Sequence, residues 1–553
     1  LPPGASSSTR CTHDDLDRNL AQQYGSRLTI VDESGGRLRD GRIETMWHVA
    51  ADRAADGPGS RAWPHAVMAN ADTFGRVAGR PAAACCTGRP ACPSAASPGA
   101  SVMSLPPRHP DPDRVAAVRA AALPLDDDEP ALDELLGRIG DARFVLLGEA
   151  SHGTREFYEL RERLTRRLVA RHGFDAVAIE GDWPDAWRVN RHVRGLGADT
   201  APADALAGFR RFPTWMWRNP VVAGFVAWLR AWNAALPPGH RCGFYGLDLY
   251  SLGASMAAVL AYLDEAEPAL AARVRARYDC FAPFGGDTQA YGLMTGLGST
   301  PSCAQAALAT LVDLQRRRAR RADAADGDDA EAAFDAEQNA ALVRDAERYY
   351  RTMFLSDVSS WNERDSHMAR TLWAIDAHLS RAGRPARIVV WAHNSHLGDA
   401  RATEMGARRG EHNLGQLVRE RHGGASFLLG FTTHDGRVTA AHDWDGDARS
   451  RRVNPSRGDA VEGLLHAVGR PRFWLPLRDD ARLKQALDAP LLERAIGVIY
   501  RPETERESHY FEARVARQFD ALVHVDRTHA LEPLDRGPQW HAAEAPEAFP
   551  QGL

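Results

Sequence analysis

The chain has 553 residues, 44% of them hydrophobic and 25% charged, enough for one large soluble domain with insertions or several average ones. A net charge of −5 makes nucleic acid an unfavoured partner, and no apolar run reaches the length of a membrane span. No charged-then-apolar secretory signal stands at the start, and the seven cysteines show no metal-type spacing. An odd, scattered cysteine set predicts reduced thiols in a cytoplasmic protein.

Residues 1–102 are dominated by Ser, Gly, Ala, Pro and Arg, with coil-like runs such as Asp56-Gly57-Pro58-Gly59-Ser60. Such a composition buries too little surface to offset chain entropy. The segment is therefore expected to be a disordered or non-native extension, with a small separate domain as the alternative. Val115–Ala122 and Leu132–Ile139 read as helices. Phe144–Leu147 is an apolar run closed by Gly148, the pattern of a buried strand. Thr154–His172 follows as a helix, with Phe157, Leu160, Leu164 and Leu168 on one face and Gly173 as its stop. Asp175–Ile179 is a second buried strand and ends at Glu180. A strand–helix–strand unit of this kind makes the two strands parallel, so both finish at one sheet edge, about 5 Å apart if they are neighbours.

Further along, Trp183–Val193 is a predicted helix and Phe209–Arg218 a Trp-rich loop. Asn219 caps a helix that begins at Pro220. Cys242–Leu247 is a third strand. Gly253 to about Ser380 is mostly helical, an insertion suited to wall or cover an α/β site, with a charged, solvated hairpin expected at Arg316–Asp329. Arg387–Trp391 returns to strand character and runs into the loop Ala392-His393-Asn394-Ser395-His396. Asn413 caps a later helix, and Phe427–Phe431 is a strand. Asp435-Gly436 signals a hairpin turn, Ala495–Tyr500 and Phe519–Val525 are further strands, and 536–553 is a polar tail. The fold expected for 103–535 is α/β: a mostly parallel sheet with flanking helices and a large helical insertion at about 253–380. Phe144–His152 and Ile388–His396 also align without a gap, each a strand followed by a loop ending in Ser-His. Duplication and coincidence both account for so short an echo.

Ligands of open α/β sheets bind at the carboxyl edge, where Glu149, His152 and Glu180 are placed. His152 is the candidate general base, because imidazole titrates near neutrality. Glu149 or Glu180 would orient it and fix its tautomer, the other positioning water or binding a metal. The bland alternatives are a loop-bracing histidine and a helix-capping Glu149. Arg161, in the helix after His152, can lean back toward the site and offset oxyanion charge, unless it belongs to that helix's solvated arginine face. His393 and His396 stand three apart after a strand, suited to ligating a metal or flanking a reaction centre. Arg364 and Asp365 could form a supporting pair. Trp183, Trp187, Trp215 and Trp217 could line an apolar cleft or simply pack. No G-x-S-x-G elbow, H-E-x-x-H or Walker A motif is present, so attack by activated water is favoured over an acyl-enzyme.

These motifs, G-E-x-x-H-G at Gly148–Gly153, Glu156-Phe157, Arg161, E-G-D-W at Glu180–Trp183, Gly246-Leu247-Asp248, Asn362–Asp365 and Ala392–His396, together resemble the erythromycin esterase family. The resemblance covers about Leu105 to Glu532. It implies hydrolysis of a carboxylic ester or macrolide-type lactone and a part in antibiotic resistance, with roles inherited by Glu149, His152, Arg161, Glu180 and His393. The implied partner is a small-molecule ester or lactone, with no nucleic acid and no membrane. No cofactor is firmly expected. A metal-dependent hydrolase holding a divalent ion, and a non-catalytic haem- or metal-binding protein using the same crevice, remain the alternatives.

Overall fold

Strands whose every side chain is apolar can only be buried on both faces, and this property selects the centre of the sheet. The computed structural model describes residues 28–32, 47–51, 110–125, 129–321, 328–380 and 384–536. In its main unit, nine strands form one sheet. They are β1 (Leu123–Pro124), β2 (Phe144–Leu147), β3 (Ala176–Asp182), β4 (Gly243–Asp248), β5 (Ile388–Trp391), β6 (Ser426–Ala440), β7 (Arg449–Val453), β8 (Arg472–Leu475) and β9 (Ala521–Thr528). Their order is β1-β8-β9-β6-β2-β5-β3-β4, with β7 paired to β6. Neighbours from β9 to β4 run parallel; β8 and β7 are antiparallel to their partners. This is the mostly parallel α/β sheet that the sequence pattern predicts. Strands β2 to β5 are buried at every position.

β2 and β3 are not neighbours, because β5 enters the sheet between them in register with both. Leu147, Trp391 and Ile179 lie side by side, so three strand ends share one edge and the outer two are about 10 Å apart. The two echoing segments are therefore adjacent strands, paired in the register of their gapless alignment, Phe144 with Ile388. Gly148 is required at this edge, since a Cβ there would fall 2.2 Å from Asn394 Oδ1. Asn394 uses that space to stitch the loop after β5 to β6, exchanging hydrogen bonds with the backbone of Phe431.

Helix α1 (Arg155–His172) follows β2 and ends on Gly173 in the left-handed conformation, φ 64°. Helix α2 (Trp183–Val193) follows β3 directly, and helix α3 (Asp357–Leu379) closes the helical insertion and packs on β4. Among the described residues no helix is long and apolar enough to cross a membrane. A second, separate unit contains Leu28–Asp32 and Trp47–Ala51, which pair antiparallel. The reading of 1–102 as an extension otherwise falls outside the described residues.

Several expectations are corrected. Asp435-Gly436 is no hairpin turn: β6 runs through it to Ala440. Gly436 is there because β9 approaches so closely that a Cβ would sit 2.1 Å from the Thr528 carbonyl oxygen, at φ 130°. Ala495–Tyr500 is not a strand. Ile496 bridges Ser151 and Ile499 bridges Ala441, so the segment passes between two partners without building a ladder on either. The strand lies just before it, at Leu491–Arg494, paired with Tyr510–Ala513. Residues 322–327 of the hairpin expected at Arg316–Asp329 lie outside the described residues, and Arg317 is buried against Glu267 and the Tyr262 hydroxyl, not solvated. Cys280 and Cys303, expected as reduced thiols, are joined in a disulfide with Cα atoms 6.0 Å apart.

Glu493, in the Leu491–Arg494 strand, is buried, and its Oε2 has no hydrogen-bond partner. Burial first, and then the charge of Glu462, hold its carboxyl well above the usual range. The acid is therefore neutral in the fold, and its contribution to stability is complete below the unfolded value of about 4.3. That contribution is lost as pH rises toward the folded value. Urea melts across this range should show stability falling with pH, and Glu493→Gln should flatten the slope. An unchanged slope would mean that Glu493 is ionised in the native state.

Candidate active site

The site begins at the end of β2. Glu149 is fully buried and its Oε1 lies 3.0 Å from His152 Nδ1. The other oxygen accepts from Arg161 Nη2 at 2.8 Å. With Nδ1–H committed to this carboxylate, the neutral His152 ring carries its lone pair on Nε2, and Nε2 lies 3.9 Å from Glu180 Oε1. Tyr158, one turn into α1, donates its hydroxyl to the His152 carbonyl and fixes the loop from below.

Glu180 leaves the end of β3. Its Oε2 accepts the backbone N–H of His393, and its Oε1 accepts from Arg364 at 2.8 Å and lies 3.3 Å from His396 Nε2. Burial alone would raise its pKa. The charges of His396, His152 and Arg364 outweigh burial and hold it well below the usual carboxylate range. Glu180 is thus an anion at every working pH.

His393 and His396 follow β5. His393 Nδ1 accepts the Ser395 N–H, which places the hydrogen of the neutral ring on Nε2. That Nε2 is buried and makes no well-formed hydrogen bond, although the Ala150 carbonyl lies close enough to the ring to favour its protonated form. Burial and the neighbouring charge of His152 push His393 well below the usual imidazole range, so the ring stays neutral. Its centroid is 4.8 Å from that of His152. His396 is the opposite case. Burial works against its charge, but Asp365, 2.9 Å from Nδ1, and Glu180 raise it to about 9. One imidazole is held neutral and the other charged, within one loop.

The helical insertion supplies the centre of the network. Arg364 on α3 donates twice to Asp248 at the end of β4, at 3.0 and 2.7 Å, and once to Glu180. Its Nη1 is 3.0 Å from His396 Nε2. That close approach of two cations is tolerable only because Glu180, Asp248 and Asp365 surround it. Trp361, one turn earlier, stacks on His396 at 4.6 Å.

These groups open into a cleft at the carboxyl edge of the sheet. His152, Glu180, His393 and His396 line it, with Arg364 and Asp248. Arg161 does not. It lies fully buried behind Glu149, its guanidinium over the rings of Tyr158 and Trp391 at 4.2 and 5.4 Å. Arg161 is thus placed behind Glu149, which it binds, and away from the cleft. Of the four tryptophans, only Trp217 reaches the cleft. Trp183 stacks on Trp187 and donates to Asp335, and Trp215 packs edge-on to Phe212, so these three serve packing. Tyr250, Trp361 and Trp444 line the cleft and were not predicted; they are far apart in sequence and only folding assembles them.

Among the described residues no group of three His, Cys, Asp or Glu side chains is arranged to hold a metal ion. The carboxylates that could serve are already engaged, Glu149 by Arg161 and Glu180 by Arg364, so this donor set does not fit a divalent ion.

A family model described as erythromycin esterase matches residues 169–528. A curated relative from Escherichia coli, "Erythromycin esterase type II", is 31% identical over 130 residues, 24% of this chain. The match spans only 29% of that relative's length. Among solved structures, a Bacillus cereus protein superposes with TM-score 0.63 at 19% identity, covering 77% of this chain and 99% of that one. A succinoglycan biosynthesis protein gives 0.60 at 21% identity, covering 76% and 98%. An erythromycin esterase variant in its open conformation gives 0.53 at 20%, covering 75% and 97%. At such identities the three structures establish a shared fold.

Proposed function

Because the chain belongs to the erythromycin esterase family, we propose that it is a carboxylic ester hydrolase, acting on a small-molecule ester or macrolide-type lactone through water activated by His152. The observation that carries this reading is the pairing of two unlike imidazoles in one cleft. His152 has Nδ1 bound by Glu149 and a basic Nε2 on the side of Glu180. Beside it His393 keeps a proton on an Nε2 that makes no well-formed hydrogen bond. A base and a neutral hydrogen-bond donor are what ester hydrolysis needs.

In the mechanism, His152 Nε2 takes a proton from water as its oxygen attacks the ester carbonyl. Glu149 stabilises the imidazolium that forms, and Arg161 holds Glu149 in place. The carbonyl oxygen becomes an oxyanion, and His393 Nε2–H is the donor available to it. As the tetrahedral intermediate collapses, the C–O bond breaks and the proton on His152 passes to the leaving alkoxide. Glu180 stays ionised and holds the His393 backbone and the charged His396 in position.

A hydrolysis screen of carboxylic esters and macrolide lactones tests the reading. In heavy-oxygen water, a single turnover should put one solvent oxygen in the product acid and none in the protein. A burst phase, or an acylated side chain trapped with hydroxylamine, would replace the activated-water mechanism with a covalent one. Absence of any ester or lactone hydrolysis would overturn the reading itself.

A further inference from the structure

Tyr250 has no part in the chemistry above, yet two arginines of the cleft rest on it. It stands just beyond β4 and lines the cleft together with Arg364 and Arg211. The guanidinium carbon of Arg364 lies 5.0 Å from the centre of its ring, and that of Arg211 lies 4.6 Å away. The ring is itself held by the insertion. From the helix Asp328–Met353, Tyr350 donates its hydroxyl to the Tyr250 carbonyl at 3.1 Å, and the Tyr349 ring meets that of Tyr250 edge-on at 5.4 Å. The Tyr250 hydroxyl meets that of Tyr349 at 3.4 Å.

The two arginines serve different carboxylates at the sheet edge. Arg364 binds Asp248 and Glu180, and Arg211 gives both Nε and Nη2 to Asp182 Oδ2, at 3.0 and 2.9 Å. Asp182 and Asp248 are paired positions on the neighbouring strands β3 and β4. Each of these acids feels the charge of both arginines. Charge alone therefore does not decide which arginine takes which acid. The edge of the Arg364 guanidinium is engaged by Asp248, Glu180 and His396. Those bonds are directional and weaken when the planar group tilts, so whatever holds the plane must act on a face. An aromatic ring does this without occupying a donor, because its electron-rich face attracts a cation. An aliphatic side chain in its place would only desolvate the charge.

We propose that Tyr250 is the positioning residue of this network: its ring seats Arg364 on Asp248 and Glu180 and keeps Arg211 on Asp182. Through Glu180 the seat extends to the His393 backbone N–H, and so to the loop that carries both histidines after β5. The face of the ring does this, and the phenol hydroxyl is dispensable for it.

Three replacements of Tyr250 in the full chain test the assignment. Tyr250→Phe keeps the face and loses the hydroxyl. Pentafluorophenylalanine at the same position keeps the shape and reverses the charge of the face. Tyr250→Leu removes the ring. The Phe protein should turn over within about threefold of the unaltered one. The fluorinated and Leu proteins should each lose about tenfold or more in kcat, with KM changed by less than about threefold. The second readout does not involve catalysis. It is the Nε–H signal of Arg364 in side-chain NMR of the free protein, identified by its loss in Arg364→Lys. This group donates to Asp248 at 3.0 Å. It should exchange slowly with water in the unaltered and Phe proteins, and at least about tenfold faster in the fluorinated one. Because the fluorinated ring matches Phe in shape, the test does not depend on the Leu protein folding.

Equal rates in the Phe and fluorinated proteins, or a loss confined to KM, would overturn the assignment. So would an Arg364 signal that fluorination leaves unchanged. A Phe protein as slow as the Leu protein would overturn it by giving the role to the hydroxyl. The proposal rests on the hydrolase reading only where turnover is measured. If no ester is cleaved, the arginine signal alone decides it, and in an active esterase the same signal can still show that Tyr250 seats nothing.

Discussion

Arg364→Ala should reduce turnover by about 1000-fold or more and also lower the melting temperature, the largest combined effect of any single change in this protein. Three of the guanidinium's bonds go to Glu180 and Asp248, both buried. Removing it strips Asp248 of its bonded counterion and leaves Glu180 with only the charged His396, a loss of the kind that typically costs about 3–5 kcal/mol. Glu180 would then reposition or take a proton, and either change would release the His393 backbone N–H it anchors. Arg364→Lys should recover the charge and part of the stability but little of the activity, because a single ammonium cannot serve Asp248 and Glu180 in one plane. The same network sets an alkaline limit. His396 titrates at about 9, so its charge, and the stability that charge contributes, are complete below the unfolded value near 6.5 and lost as pH rises through 9. Activity should fall over the same range. An Arg364→Ala protein with near-native turnover and an unshifted melting temperature would show that α3 only covers the cleft.

His152→Ala should lower turnover by about 100- to 10,000-fold while leaving the melting temperature nearly unchanged, the pattern for loss of a general base. Its side chain is bound through Glu149, and that carboxylate keeps Arg161 as its counterion when the ring is gone. No buried charge is therefore stranded by the change. Structure and activity should separate cleanly here, as they do not at Arg364. Steady-state rates alongside thermal melts make the comparison. A variant that retains its rate would remove His152 from the reaction, and one that unfolds would make it a structural histidine instead.

Much of the site was legible because local chemistry encodes it. An apolar tetrapeptide closed by Gly148 fits a buried strand, and the residues beyond it then emerge at the sheet edge. That placed Glu149 and His152 together, and the same logic placed Glu180 after β3 and His393 after β5. That β2 and β3 run parallel follows from the strand–helix–strand order; that β5 separates them does not. The short echo between Phe144–His152 and Ile388–His396 likewise anticipated two strands with equivalent ends, although not that they pair side by side.

What pattern could not decide was direction and partnership. Arg161 lies in the second turn of α1, from which an oxyanion role is within reach, but the side of α1 it occupies is packed against Tyr158 and Trp391 and binds Glu149. Arg364 reads as one half of a pair with Asp365, supporting or on the surface, whereas it binds Asp248 and Glu180 and Asp365 binds His396. Its place at the centre depends on how an insertion of more than 100 residues folds back over β4, which no local signal specifies. Tryptophans are apolar in any sequence, and whether a ring packs or lines a cleft is settled by neighbours far along the chain, as with Trp183 against Phe334 and Trp444 against Phe212. The sequence by itself determined which residues reach the carboxyl edge of the sheet, because strand endings are a short-range property of hydrophobic pattern and turn chemistry. Only the tertiary structure decided which of them share protons and charge, because burial and pairing at 3 Å depend on elements brought together from opposite ends of the chain.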